Sequence, residues 1–156
     1  MPSLSAEITG RYDHAADAGG FLYAPPPRPL TVRQSRRYLI DYEGDTAALT
    51  AFLGKVLADA VSHDLKTGDT PAWQGSSFIL DYGMKGGALD LEKETILAHH
   101  HGDPGAGFTI KSLRIQRRLY VFDDSQAGAG AGDVEALSAR FVRDIVNPAI
   151  HTWQVS

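Results

Sequence analysis

The sequence contains no cysteine, which excludes a disulfide scaffold, cysteine-ligated zinc, iron–sulfur clusters and thiol catalysis. No stretch approaches the roughly 20 apolar residues that a bilayer-spanning helix needs, so no membrane role is expected. Charge of one sign does not dominate. Fifteen basic against nineteen acidic residues give a formal net charge of -4, which argues against a globally basic nucleic-acid binder but not against a local patch. The first ten residues have neither a basic start nor a continuous apolar stretch, so a secretory signal is not expected and a cytoplasmic location is. None of three glycine-rich segments, at 83–87, 102–107 and 128–132, has the Gly-x-x-x-x-Gly-Lys-Ser/Thr form of a phosphate-binding loop, and there is no Gly-x-Ser-x-Gly elbow.

What is present is the material of one ordinary domain. The chain has 156 residues, 43% apolar and 22% charged, enough to bury a core without staples. Two regions differ. Residues 1–30 carry Gly10, Gly19, Gly20 and a run of prolines from Pro25 to Pro29. They read as a Gly/Pro-rich arm with a polyproline spacer and one strand near 6–12. Only Phe21, Leu22 and Tyr23 offer much to bury, so such an arm, when ordered, is held either by its own sheet or by a neighbouring subunit. Residues 31–156 read as the folding unit.

Within that unit the spacing predicts a strand over 31–42. A helix of about five turns follows Asp45, with Leu49, Phe52, Leu53, Val56, Leu57, Ala60 and Val61 on one stripe. A hairpin is predicted from 77–82 and 88–93, where Leu89 and Leu91 alternate with Asp90 and Glu92, and a further strand at 95–101. A long strand fills 108–122. A second helix, capped by Asp133, carries Leu137, Phe141, Val142 and Val146, with Ile150 and Trp153 continuing its stripe. No internal repeat is legible. The fold expected is α+β: an antiparallel sheet of about four to six strands with two helices on one face, ferredoxin-like or, as an alternative, a helix-grip.

Two clusters point to chemistry. On a strand, His99 and His101 would share a face and, with Asp103, offer ligands to a divalent metal. Seven basic residues, Arg33, Arg36, Arg37, Lys111, Arg114, Arg117 and Arg118, lie on two predicted strands. Interleaved aromatics would let Arg33, Arg37, Lys111, Arg114 and Arg118 hold phosphates or other anions if those strands are neighbours. The competing expectation is that these arginines pair with carboxylates across the sheet.

Three functions follow. The favoured one is a non-catalytic assembly or adaptor subunit, working through a sheet edge and an arm formed by Phe21, Tyr23, Pro25, Pro26 and Pro27. Its partners would be copies of itself or the other subunits of a larger assembly. The alternatives are a small metal-dependent enzyme centred on His99 and His101, and a single-stranded nucleic-acid-binding module.

Overall fold

The structure, a computed structural model, describes residues 2–12, 14–59, 61–86, 89–103, 105–123 and 131–156, with only the backbone of 131–133. The strands are β1 (Ser3–Gly10), β2 (Ala16–Asp17), β3 (Leu30–Gly44), β4 (His63–Thr67), β5 (Phe78–Met84), β6 (Phe108–Asp123) and β7 (His151–Val155). The helices are α1 (Thr46–Leu57), α2 (Leu91–His101) and α3 (Ala131–Ile145), and a single 3-10 turn covers Ala18–Gly20. All seven strands form one antiparallel sheet in the order β4-β1-β3-β6-β5-β7, with the short β2 pairing β3 beside β1.

The chain is therefore α+β. Among the described residues the sheet has seven strands where four to six were expected, and there are three α-helices where two were. The added helix is α2, which replaces the predicted strands at 88–93 and 95–101. Asp90 accepts a hydrogen bond from the Lys93 amide and so caps it. Ile96 and His100, one turn apart, are the residues it buries. Leu89 and Leu91, whose alternation suggested a strand, are both about 70% exposed. Local alternation lost to a cap and an i, i+4 pair.

Helix α1 is also shorter than predicted. It ends at Leu57, Ala58 is extended, and Val61, assigned to the apolar stripe, is exposed. A tight turn stops it. Asp59 accepts from the Val61 amide, while the Asp59 amide donates to Nδ1 of His63. His63 then opens β4 by pairing with Gly10. Likewise Ile150 and Trp153 do not extend α3: Asn147 turns the chain in the same way and β7 begins at His151. The Asp133 side chain and the 124–130 connector lie outside the described residues.

The N-terminal segment is held by its own sheet. β1 lies between β3 and β4, and Ala6, Glu7 and Ile8 are buried. Leu22 and Ala18 pack into the cluster under α3.

All three helices cover one sheet face. Along β3, residues of even number point to it. Leu30 and Val32 join a cluster with Leu80, Leu119, Val121 and α3 residues Leu137 and Phe141. Tyr38, Ile40 and Tyr42 join a second with Leu113, Leu49 and Leu53 of α1, and Ile96 of α2.

The two clusters belong to two related halves. Each half is two paired strands, a helix, an Asx–x–x–x–His turn and a strand that returns to pair with the first. β1 corresponds to β5, β3 to β6, α1 to α3 and β4 to β7, about a pseudo-two-fold axis through the β3/β6 ladder. The registers agree residue by residue. Glu7 faces Arg37 as Asp81 faces Arg118, and Ile8 faces Arg36 as Tyr82 faces Arg117. Ile8 pairs Leu65 as Tyr82 pairs Trp153. Leu49 and Leu53 occupy the places of Leu137 and Phe141. The connection between β1 and β3 lies over the α3 cluster, and the connection between β5 and β6, which contains α2, lies over the α1 cluster.

Because Leu53 and Phe141 are equivalent and completely buried, each anchors one half. Leu53→Ala should cost about 2–5 kcal/mol and Phe141→Ala about 3–5 kcal/mol, measured by urea denaturation. A loss below about 1 kcal/mol at either position would show that its cluster is not a core.

Candidate functional site

β3 and β6 are neighbours along the whole of β3, so the basic strands do share faces. Arg33, Arg37, Arg114 and Arg118 point away from the helices. Lys111 sits at the register shift opposite Asp41 and Tyr42, and its ammonium is 3.6 Å from Glu43.

On that helix-free face the arginines meet carboxylates. Arg118 is buried and donates to both oxygens of Asp81, at 2.7 and 3.0 Å, and to Glu7 at 3.4 Å. Glu7 also accepts from the hydroxyls of Ser35 and Tyr120. Arg37 contacts Asp69 at 3.1 Å and Asp81 at 3.9 Å. The 68–77 segment closes over this network: the Ala72 amide donates to Glu7 and to the Tyr120 hydroxyl, Trp73 stands edge-on to Tyr120, and the Arg33 guanidinium lies 4.8 Å over Trp73. Burial alone would weaken the Arg118 cation, but Asp81 outweighs it and the guanidinium is held above its ordinary pKa. Burial, reinforced by Glu7, raises that of the Tyr120 phenol. Arg114 remains exposed.

The histidines are separated by the change from strand to helix. On α2, His99 and His101 are about 200° apart around the axis, so they do not share a face. His99 lines a groove beside Phe52, Lys55 and Asp103, whereas His101 is exposed. Among the described residues no group of three His, Asp or Glu side chains is placed to hold a metal ion.

The buried member is His100. It stacks on Phe108 with ring centroids 4.8 Å apart and meets Phe52 edge-on. Its Nε2 accepts from the Ile110 amide and its Nδ1 has no partner. Burial, aided by His101, lowers its pKa.

In the N-terminal segment, Phe21 packs against the α3 cluster. The Tyr23 amide donates to Asp144, and Arg140 donates to the carbonyls of Ala24 and Pro25 at 3.0 and 3.1 Å. These bonds fasten the backbone to α3 and leave the Tyr23 side chain, 87% exposed, and Pro25 and Pro27 facing outward, with Pro26 half-buried.

The helix-bearing face holds a different arginine pair. Arg36 and Arg117 are directly opposite each other in the ladder, at the pseudo-two-fold axis and in the gap between the two apolar clusters. Two adjoining cavities open over them. One, of about 320 Å³, is bounded by Gln34, Tyr38, Leu57 and His63. The other, of about 330 Å³, is bounded by Tyr82, Glu92, Ile145 and His151. Arg36 donates to Glu92 at 3.0 Å, and Glu92 also accepts from the Tyr38 hydroxyl. Burial and then Glu92 raise the pKa of that phenol.

The sheet edges differ. Along β4 the strand carries Asp64 and Lys66, and Arg11 lies beside it. Arg11 donates to Asp64 and to the carbonyls of Val61 and His63. β7 has no acidic residue, lysine or arginine. Ile79 and Ser156 exchange both backbone bonds, so by the alternation of an antiparallel ladder Gln154 and Thr152 point their amides at β5, and Trp153 and Val155 point theirs outward, while the His151 amide donates to the Asn147 carbonyl at 2.8 Å. Ile150, Trp153, Val155 and Met84 are each roughly two-fifths exposed.

No protein-family model matches the chain, and no curated protein is similar to it.

Arg36 and Arg117 were not among the five anion-binding residues singled out from the sequence. Their signal was a break in a pattern: Arg117 interrupts Leu113, Ile115, Leu119 and Val121, and Gln34 with Arg36 interrupts Leu30, Val32, Tyr38 and Ile40. Trp153 was missed because its spacing from α3 also suits a helix.

Two outcomes follow. Arg118→Met leaves Glu7 and Asp81 buried without their cation and should cost about 3–5 kcal/mol in urea denaturation; a neutral effect would mean that the network is not holding the strands. His100, with its pKa lowered on folding, binds a proton more readily in the unfolded chain. Its contribution to stability is therefore present above the ordinary imidazole range and lost as the pH falls through it. Unfolding free energy should decrease from pH 7 to pH 5, less steeply in His100→Phe. Parallel profiles for the two proteins would remove His100 as the cause.

Proposed function

We propose that the protein is a non-catalytic assembly or adaptor subunit that extends its sheet edge-to-edge through β7, with the outward Tyr23, Pro25 and Pro27 of the N-terminal segment as a second contact. The observation that carries this reading is the difference between the two edges. β4 has the charged side chains and the capped carbonyls that keep an edge strand from pairing. β7 has outward amides at Trp153 and Val155 beside exposed apolar side chains, the features of an edge that accepts another strand.

The occupant proposed is the β7 strand of a second copy, antiparallel about a two-fold axis. Such a contact is self-complementary and closes as a dimer, and β7 carries no charge to repel its own copy. A cytoplasmic setting goes with this reading.

Trp153→Pro tests it. The substitution removes an outward amide and no bond to β5, and proline suits an edge strand at such a position. The wild-type protein should sediment as a dimer at tens of micromolar, and Trp153→Pro as a monomer with an unchanged circular dichroism spectrum. A wild-type monomer at every concentration, or a dimer indifferent to the substitution, would contradict edge-to-edge pairing.

A further inference from the structure

We propose that the cleft over Arg36 and Arg117 is a binding site for a phosphoryl dianion, either free phosphate or the end of a phosphate monoester. Three observations meet there. Like charges directly opposite on neighbouring strands destabilise a sheet, and nothing among the described residues offsets the pair fully. Arg36 has Glu92, but Arg117 makes no ion pair or hydrogen bond with any described residue. On the same sheet face the arginines are flanked by Tyr38 on β3 and by Ile115 and Leu119 on β6, with the exposed Gln34 standing between Arg36 and the buried Val32. The cations thus stand where continued core would have been the stabilising choice.

The second observation is the symmetry of the surrounding donors. His63 and His151 are equivalent residues of the two halves, and one lines each cavity. Their turns match bond for bond. Nδ1 of His63 accepts from the Asp59 amide and Nδ1 of His151 from the Asn147 amide, both at 3.0 Å. The Val61 and Ala149 amides donate to the Asp59 and Asn147 side chains at 2.9 and 3.0 Å. An imidazole whose Nδ1 accepts carries its neutral-form proton on Nε2, as a donor. Two guanidiniums and two imidazole N–H groups around one axis form a donor set for tetrahedral oxygens, with the planar forks of Arg36 and Arg117 able to bind two oxygens each.

The third is Glu92, which breaks that symmetry. It comes from α2, the helix that lies between β5 and β6 and has no α-helical counterpart among the described residues between β1 and β3, and it places a carboxylate on Arg36. The site already takes one oxyanion, supplied by the chain itself. Asp90 also borders that cavity, whereas the residues around the His63 cavity include no carboxylate. The dianion therefore enters from the His63 side, bridges Arg36 and Arg117, and competes with Glu92 for Arg36.

The competition gives the test a gain as well as a loss. Calorimetric titration of the full chain at low ionic strength would use inorganic phosphate in one arm and phenyl phosphate in the other, with wild type, Arg117→Gln and Glu92→Gln. Saturable binding of one phosphate per chain is expected. It should weaken at least tenfold in Arg117→Gln and tighten several-fold in Glu92→Gln, a gain that misfolding cannot imitate. Tighter binding of phenyl phosphate than of inorganic phosphate assigns the site to monoesters, and the reverse to the free ion. A wild-type protein that takes up neither, or equal affinities in all three proteins, overturns the proposal.

Discussion

Each residue of β3 from Leu30 to Gly44 has a partner in β6, and the rest of the molecule is arranged around that ladder. Antiparallel pairing of two strands this long brings the two halves together about a pseudo-two-fold axis. It also fixes which side chains share a face, because a shift of one residue would exchange the faces. With the register as it is, Leu30, Val32, Tyr38 and Ile40 lie under the helices, and Arg33, Ser35 and Arg37 lie under the 68–77 segment. The two arginine doublets, Arg36–Arg37 and Arg117–Arg118, occupy equivalent positions on β3 and β6. In each doublet one arginine enters the carboxylate network and the other faces the cleft.

The two faces treat charge differently. Arg118, Glu7 and Asp81 are buried, satisfied by one another and by Ser35, Tyr120 and the Ala72 amide. A buried network of this kind is costly to form and more costly to break, since removing one member leaves the others without partners. It also ties β1, β3, β5 and β6 together across the centre of the sheet. Arg36 and Arg117 have one carboxylate between them and open space above. The first arrangement holds the strands in register; the second is free to meet something outside the chain.

Much of the fold was legible because the pattern and the tertiary environment agree. Leu49 and Leu53 of α1 and Leu137 and Phe141 of α3 were placed by spacing, and all four are buried where that spacing put them. α2 was not legible: Leu89 and Leu91 alternate with acidic residues as a strand would, while the cap at Asp90 and the Ile96–His100 contact that decide for helix depend on β6 being alongside. β4 and β7 were absorbed into the preceding helices because their starts are set by side-chain-to-backbone bonds of Asp59, His63, Asn147 and His151. The internal repeat is visible in sequence only as Ser35-Arg-Arg-Tyr-Leu-Ile40 against Gln116-Arg-Arg-Leu-Tyr-Val121, and its other equivalent pairs, such as Glu7 with Asp81, need the registers. For the candidate site, the basic residues of β3 and β6 were legible, but the parity that matters shows in the sequence only as the break that Arg117 makes in an apolar alternation. The edge character of β7 depends on strand order, which no local pattern contains.

The account of the protein as a subunit that joins others through β7 makes a claim about particular amides. Hydrogen exchange followed by nuclear magnetic resonance over a range of protein concentrations reads them one by one. The amides of Thr152 and Gln154, bonded to β5, should be protected at every concentration. Those of Trp153 and Val155 should exchange fast in dilute solution and become protected as the concentration rises. Fast exchange of Trp153 and Val155 at all concentrations would contradict the account.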